Sequence, residues 1–164
     1  MMSETIDPDE ATTFLNVDLD IASRVSLEPL VAAFGKKVFV HYVGRHGRKF
    51  WAHVSRSSYG QSADKLTREL CSLVRRLPRG PRKLWDGAVS REFNVGIQAG
   101  HTPHFHELRI AEKTLSMVAE LRGTIVVTTY APISTEEESA RVPPNKRMQL
   151  TRSAMANGRR GPRS

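Results

Sequence analysis

Residues Val38–Ser55, VFVHYVGRHGRKFWAHVS, set two runs of β-branched and aromatic residues around Gly44 and Gly47. That is the pattern of a β-hairpin. Pairing Val43 with Lys49 leaves a loop from Gly44 to Arg48. It sets Val38 against Val54, Val40 against Ala52 and Tyr42 against Phe50 on one face. Phe39 then meets His53, and His41 meets Trp51, on the other. Side chains alternate along a strand, so a slip of one residue would exchange the two sets; burial of one face selects the register. The first set reads as core. The second reads as an exposed surface of rings and imidazoles.

The rest of the chain supplies partners for such a hairpin. In Phe14–Ile21, Leu15, Val17, Leu19 and Ile21 alternate with Asn16, Asp18 and Asp20, a strand with one buried and one wet face. Ser26 is placed to cap a short helix ending at Phe34, with Pro29 in its first turn and Gly35 after it. Leu66, Leu70, Leu73, Val74 and Leu77 recur at helical spacing over Ser62–Leu77, and Pro78, Gly80 and Pro81 end that run. Leu84–Val89 adds at most a helical turn carrying Trp85. Glu92–Ala99 alternates as a strand, and His106–Arg122 has a helical stripe of Leu108, Ala111, Leu115, Val118 and Leu121. Thr124–Tyr130, TIVVTTY, is the last strand.

The order β-α-β-β-α-β-α-β predicts an α+β two-layer sandwich: a five-stranded mixed or antiparallel sheet with three helices on one face. Its opening β-α-β-β-α-β is ferredoxin-like in order. Residues 13–133 form the single domain of this reading. Residues 1–12 read as a disordered leader and 134–164 as a disordered tail, since neither carries apolar periodicity.

The chain has 25 basic and 17 acidic residues, a net charge of +8. Six of the basic residues lie in 142–164, which has no acidic residue, and without that tail the chain is near +2. The overall basicity is therefore weak support for a nucleic-acid partner. One cysteine, Cys71, excludes an internal disulfide and suits a reducing compartment. Its place in an amphipathic helix pattern reads as a buried, inert thiol. The acidic start has no basic-then-apolar signal segment, and no apolar run reaches the roughly 20 residues that span a bilayer. A cytoplasmic protein with no membrane partner is expected.

If the apolar strand faces lie under the helices, the opposite faces collect Asp18, His41, Trp51, His53 and Tyr130 on one surface. Large exposed rings mark protein interfaces more often than chemistry, so the first expectation is a non-enzymatic module that binds a protein partner or a second copy of itself. A metal-binding or hydrolase-type site is the alternative. It would use Asp18 with His41 or His53, because a carboxylate can orient an imidazole that titrates near neutrality. It could also use the run His101-Thr-Pro-His104-Phe-His106, three nitrogen ligands within six residues. A third reading is a weak RNA- or DNA-binding domain in which Arg68, Arg75 and Arg79 share one face of the helix over 62–79. Glycine-rich phosphate loops, Gly-x-Ser-x-Gly, Cys-x-x-Cys and His-Glu-x-x-His are all absent from the sequence. No cofactor is called for.

FLNVDLDI, the LEPL helix start, LWDGAVSREFNVGIQAG and the closing IVVTTYAP together resemble a family of small, uncharacterised bacterial proteins over roughly residues 13–133. The resemblance implies a bacterial cytosolic domain and brings no activity with it. PNKRMQLTRSA (Pro144–Ala154) is similar to a C-terminal tail that recurs on unrelated bacterial proteins. This implies read-through into a repeated genomic element, in which case its charges say nothing of partners.

Overall fold

The computed structural model describes residues 11–132, so the leader before Ala11 and the tail after Pro132 lie outside the described residues. The elements are β1 (Thr13–Ser23), α1 (Glu28–Phe34), β2 (Phe39–His46), β3 (Lys49–Ser55), α2 (Ala63–Arg75), α3 (Arg79–Asp86), β4 (Ser90–Gln98), α4 (Glu112–Glu120) and β5 (Thr124–Tyr130). The five strands form one mixed sheet in the order β2-β3-β1-β4-β5. β1 runs antiparallel to both β3 and β4, β2 is antiparallel to β3, and β5 is parallel to β4. The architecture is α+β, with four helices among the described residues where three were expected.

β1 follows its alternation. Val17, Leu19 and Ile21 are fully buried, opposite Val95, Phe93, Val54 and Ala52 of the neighbouring strands. Leu30, Phe34, Leu66, Leu70, Val74 and Val118 from the helices complete the same core cluster. Leu15 departs from the pattern. The β1–β4 register shifts between Phe14 and Asn16, leaving Leu15 exposed and Phe14 packed against the core in its place.

The hairpin also departs from its expected register. His46 pairs with Lys49 across a two-residue turn in which Gly47 has φ +61°, a conformation glycine adopts without strain. A bulge between Val40 and Tyr42 then takes up His41 as an extra residue. The turn sets the register up to the bulge, so Tyr42 pairs with His53 rather than Phe50 and Gly44 rather than His41 pairs with Trp51, while beyond His41 the bulge brings Val40 opposite Val54. Tyr42 thereby leaves the face assigned to the core.

Pro78 and the residues after it begin a helix instead of only ending one. Pro78 is the N-cap of α3, and Pro81 lies in the first turn, where the missing N–H would have had no intrahelical acceptor. α3 buries Trp85 completely, and its indole N–H donates to the Leu121 carbonyl at 3.1 Å. Trp85 also meets Phe93 edge-on at 6.4 Å. Arg91 on β4 closes the end of this helix by donating to the carbonyls of Trp85, Asp86 and Ala88 at 2.7, 2.6 and 2.9 Å. A guanidinium is suited to helix C-terminal carbonyls.

The expected helix over 106–122 is shortened to Glu112–Glu120. Its N-terminus is satisfied from another helix: the Asp64 carboxylate of α2 accepts the Ala111 N–H at 2.9 Å. The Thr114 hydroxyl facing it, and then that amide, hold the Asp64 carboxyl below its ordinary value. Ser62 caps α2 by accepting the Lys65 N–H at 3.2 Å. Ala11 and Thr12, assigned to the leader, are tied down instead, by a bridge from Ala11 to Thr102 and by the Thr12 hydroxyl, which accepts the Gly100 N–H.

Cys71 is buried, and burial pushes its thiol up to about 12. A disulfide reagent is therefore expected to label the folded chain only as fast as it opens, and to label it freely in denaturant; fast labelling at full native circular dichroism would contradict this packing. Trp85→Ala should cost about 3–5 kcal/mol, read from urea unfolding, since it empties the joint of α3, α4 and β4.

Candidate functional site

The side of the sheet opposite the helical core carries two imidazole–carboxylate networks. They are built from alternate residues of β1, which supplies Asn16, Asp18 and Asp20. In the first, His53 Nδ1 lies 2.7 Å from Asp20 Oδ1. An ionised carboxylate only accepts, so Nδ1 is the donor. Asn94 of β4 donates to the other Asp20 oxygen at 3.4 Å, and Thr128 of β5 donates to Asn94 Oδ1 at 2.8 Å. The relay crosses four strands and points its donors at Asp20. Nε2 of His53 has no hydrogen bond among the described residues.

Around His53 stand two further rings. Trp51 is stacked against it at 5.9 Å with planes 6° apart, and Tyr42 is tilted by 46° at the same separation. Tyr42, His46, Trp51 and His53 line a hollow of about 430 Å³. Asp20 forms the back of this group and is mostly covered.

In the second network His41 Nε2 lies 2.7 Å from Ser55 Oγ and 3.9 Å from Asp18 Oδ1. A serine nucleophile activated by histidine needs the carboxylate on the other ring nitrogen. Here serine and carboxylate approach the same nitrogen, and Ser55 is buried, so the trio has no nucleophilic geometry. Asp18 also accepts from the Asn16 amide at 2.8 Å. Burial and then the charge of Asp20 raise the Asp18 carboxyl above its ordinary value, against the opposite pull of His41, His53 and Asn16.

Of the residues expected on this surface, His41, Trp51, His53 and Asp18 share it. The expected pairing of Asp18 with His53 is replaced by Asp20 with His53, because β1 and β3 set Asp20 opposite His53 and Asp18 opposite Ser55. Tyr130 belongs to a different corner. It lies on β5 opposite Gln98, which pairs with Thr13, whereas Trp51 is opposite Ala22. That offset is about 30 Å along the strands, at roughly 3.3 Å per residue. Tyr42, Asp20, Asn94 and Thr128 enter the site instead. No local signal in the sequence marks them, since the bulge and the strand partners that bring them in are non-local.

The other candidate residues disperse. Among the described residues no three His, Cys, Asp or Glu side chains are grouped to hold a metal ion; His101, His104 and His106 are exposed on the loop before α4. Arg68, Arg75 and Arg79 do not share a helix, because α2 ends at Arg75 and Arg79 opens α3. Arg68 lies 3.8 Å from Asp64, and Arg75 is paired with Glu120 of α4, so two of the three already have acidic neighbours. Among the described residues no helix is long and apolar enough to cross a membrane.

No family model, curated protein or solved structure matches the chain. The functional reading therefore rests on the geometry.

The Asp18 carboxyl binds its proton more readily in the folded state than in the unfolded chain. Stability thus falls as pH rises through the interval between the two values, and the charged form opposes folding at neutral pH. Asp18→Asn, which keeps an acceptor for Asn16, should raise the urea midpoint at neutral pH. The gain should vanish below about pH 4, where the unfolded carboxyl is itself protonated; a gain independent of pH would show that charge is not its cause.

Proposed function

We propose that the chain is a non-enzymatic binding module that engages a protein partner through the β2–β3 corner of its open sheet face. One observation carries this reading: on that face Phe39 and Tyr42 of β2 are 63% and 41% exposed, with Tyr42 against the His53 ring of the Trp51–His53 stack and Phe39 opposite Ser55 on the same strand pair. Exposed aromatic residues at the centre of a patch, ringed here by Asp18, Asp20 and His41, are the composition of interface hot spots. The ferredoxin-like connectivity of the first four strands belongs to the same reading. It is supported by the spatial order β2-β3-β1-β4, antiparallel throughout. A bacterial cytosolic setting is supported by the resemblance of residues 13–133 and by the buried free thiol.

The test uses the full chain as bait for proteins cross-linked in its host, followed by measurement of affinity for the captured partner. Trp51→Ala should weaken that affinity by about 30-fold or more, the scale of a hot-spot residue, with unchanged thermal unfolding. Equal affinity for wild type and variant would remove the corner from the interface.

A second reading, a small-ligand or metal-binding site of the hydrolase type, has a specific observation in its favour: Asp20 fixes the proton of His53 on Nδ1 and leaves Nε2 as a base or ligand atom beside the 430 Å³ hollow. It requires His53 to lose its tautomer preference in Asp20→Asn. Nitrogen-15 chemical shifts of the ring should report this, and zinc added to the wild type should shift the same resonances. Zinc leaving them unmoved would dismiss the metal form of the reading. The nucleic-acid reading has less support, because Arg68 and Arg75 have acidic neighbours.

A further inference from the structure

The two edges of the sheet are built differently. β2, at one edge, carries the bulge at His41 and Tyr42 and the basic groups Arg45 and His46. Bulges and charges are the features that keep an edge strand from pairing with another chain. β5, at the other edge, has neither. Its register against β4 is unbroken from Thr124 to Tyr130. Six of its seven residues are β-branched, the seventh is Tyr130, and none is charged. An uncharged run of this composition without proline or glycine is the pattern that adds strands most readily.

Its helix-side face is also left bare in part. Val127 lies on the same side as the core residue Val95, which it pairs with, yet it is 59% exposed. Thr129, on the same side, is exposed as well.

We propose that the β5 edge is a homodimer interface, in which β5 of a second copy pairs antiparallel about a two-fold axis at Val127. The register follows from where the strand can run. Before Thr124, Arg122 has φ +55° and Gly123 sits where a Cβ would come within 2.6 Å of the Phe93 ring, so the chain must turn there. After Tyr130, Pro132 has no N–H to give. Seven residues bounded at both ends pair completely in one antiparallel alignment only, the one centred on Val127. That alignment sets Val127 against its own copy and Ile125 against Thr129 on the helix side. On the open side it sets Val126 against Thr128 and Thr124 against Tyr130. No charge opposes a like charge, and no charge pattern selects a different partner. The product is a continuous ten-stranded sheet with both helical layers on one side. A strand-pair contact is a small interface, and small interfaces associate weakly, so the mass must be read over a concentration series.

Sedimentation equilibrium on the full chain, from micromolar to near-millimolar concentration, tests this. The wild type should approach twice the protomer mass at the upper end. Val127→Lys and Val127→Glu, each at an exposed position, should stay at protomer mass with native circular dichroism, because each sets like charges together on the axis. Mixed in equal amounts, they should recover the doubled mass, since lysine then faces glutamate. Trp51→Ala should dimerise as the wild type does, which separates this edge from the partner-binding corner. A protomer-mass wild type, a dimer that survives Val127→Lys, or a mixture that does not recover would each overturn the proposal.

Discussion

β1 is the constraint on which everything else depends. It is hydrogen-bonded on both sides, to β3 and to β4, and it lies at the centre of the sheet. Its odd-numbered residues from Val17 to Ile21 seal the helical core, and its even-numbered residues from Asn16 to Asp20 carry both polar networks. A shift of one residue would place two carboxylates beneath the helices, where an unpaired charge costs several kcal/mol. Core and candidate site are therefore held by one register. Neither can move without the other.

The two imidazoles on the open face have different surroundings although they lie on neighbouring strands. His53 is fixed by Asp20, flanked by two rings and left with one free ring nitrogen. His41 is more exposed and shares its Nε2 between Ser55 and Asp18. The difference comes from cross-strand position: Asp20 stands directly opposite His53, whereas Asp18 reaches His41 only from one strand further away. The result is one well-oriented imidazole inside an aromatic corner.

On the helical side, Trp85 joins elements that the chain keeps far apart. Its indole bonds Leu121, its ring meets Phe93, and the end of its helix is held by Arg91. Asp64 does similar work between α2 and α4. These joins cross long stretches of sequence and tie the helices to one another as well as to the sheet.

What the sequence determined by itself was everything with a short period. The alternation of β1 from Asn16 onward and of β4 and β5, the helical spacing of Leu66, Leu70 and Val74, and the shared face of Trp51 and His53 are all properties of neighbours along the chain. Tertiary structure decided the rest. The turn register and bulge that set Tyr42 and His41 together on the open face, the choice of Asp20 over Asp18 for His53, the distance of Tyr130 from that site and the start of α3 at Pro78 each depend on partners from other segments. The physical reason is that strand register and helix ends are set by hydrogen bonds between segments. Periodicity fixes which face a side chain takes until an inserted residue changes the parity, and it never states which residue will lie opposite.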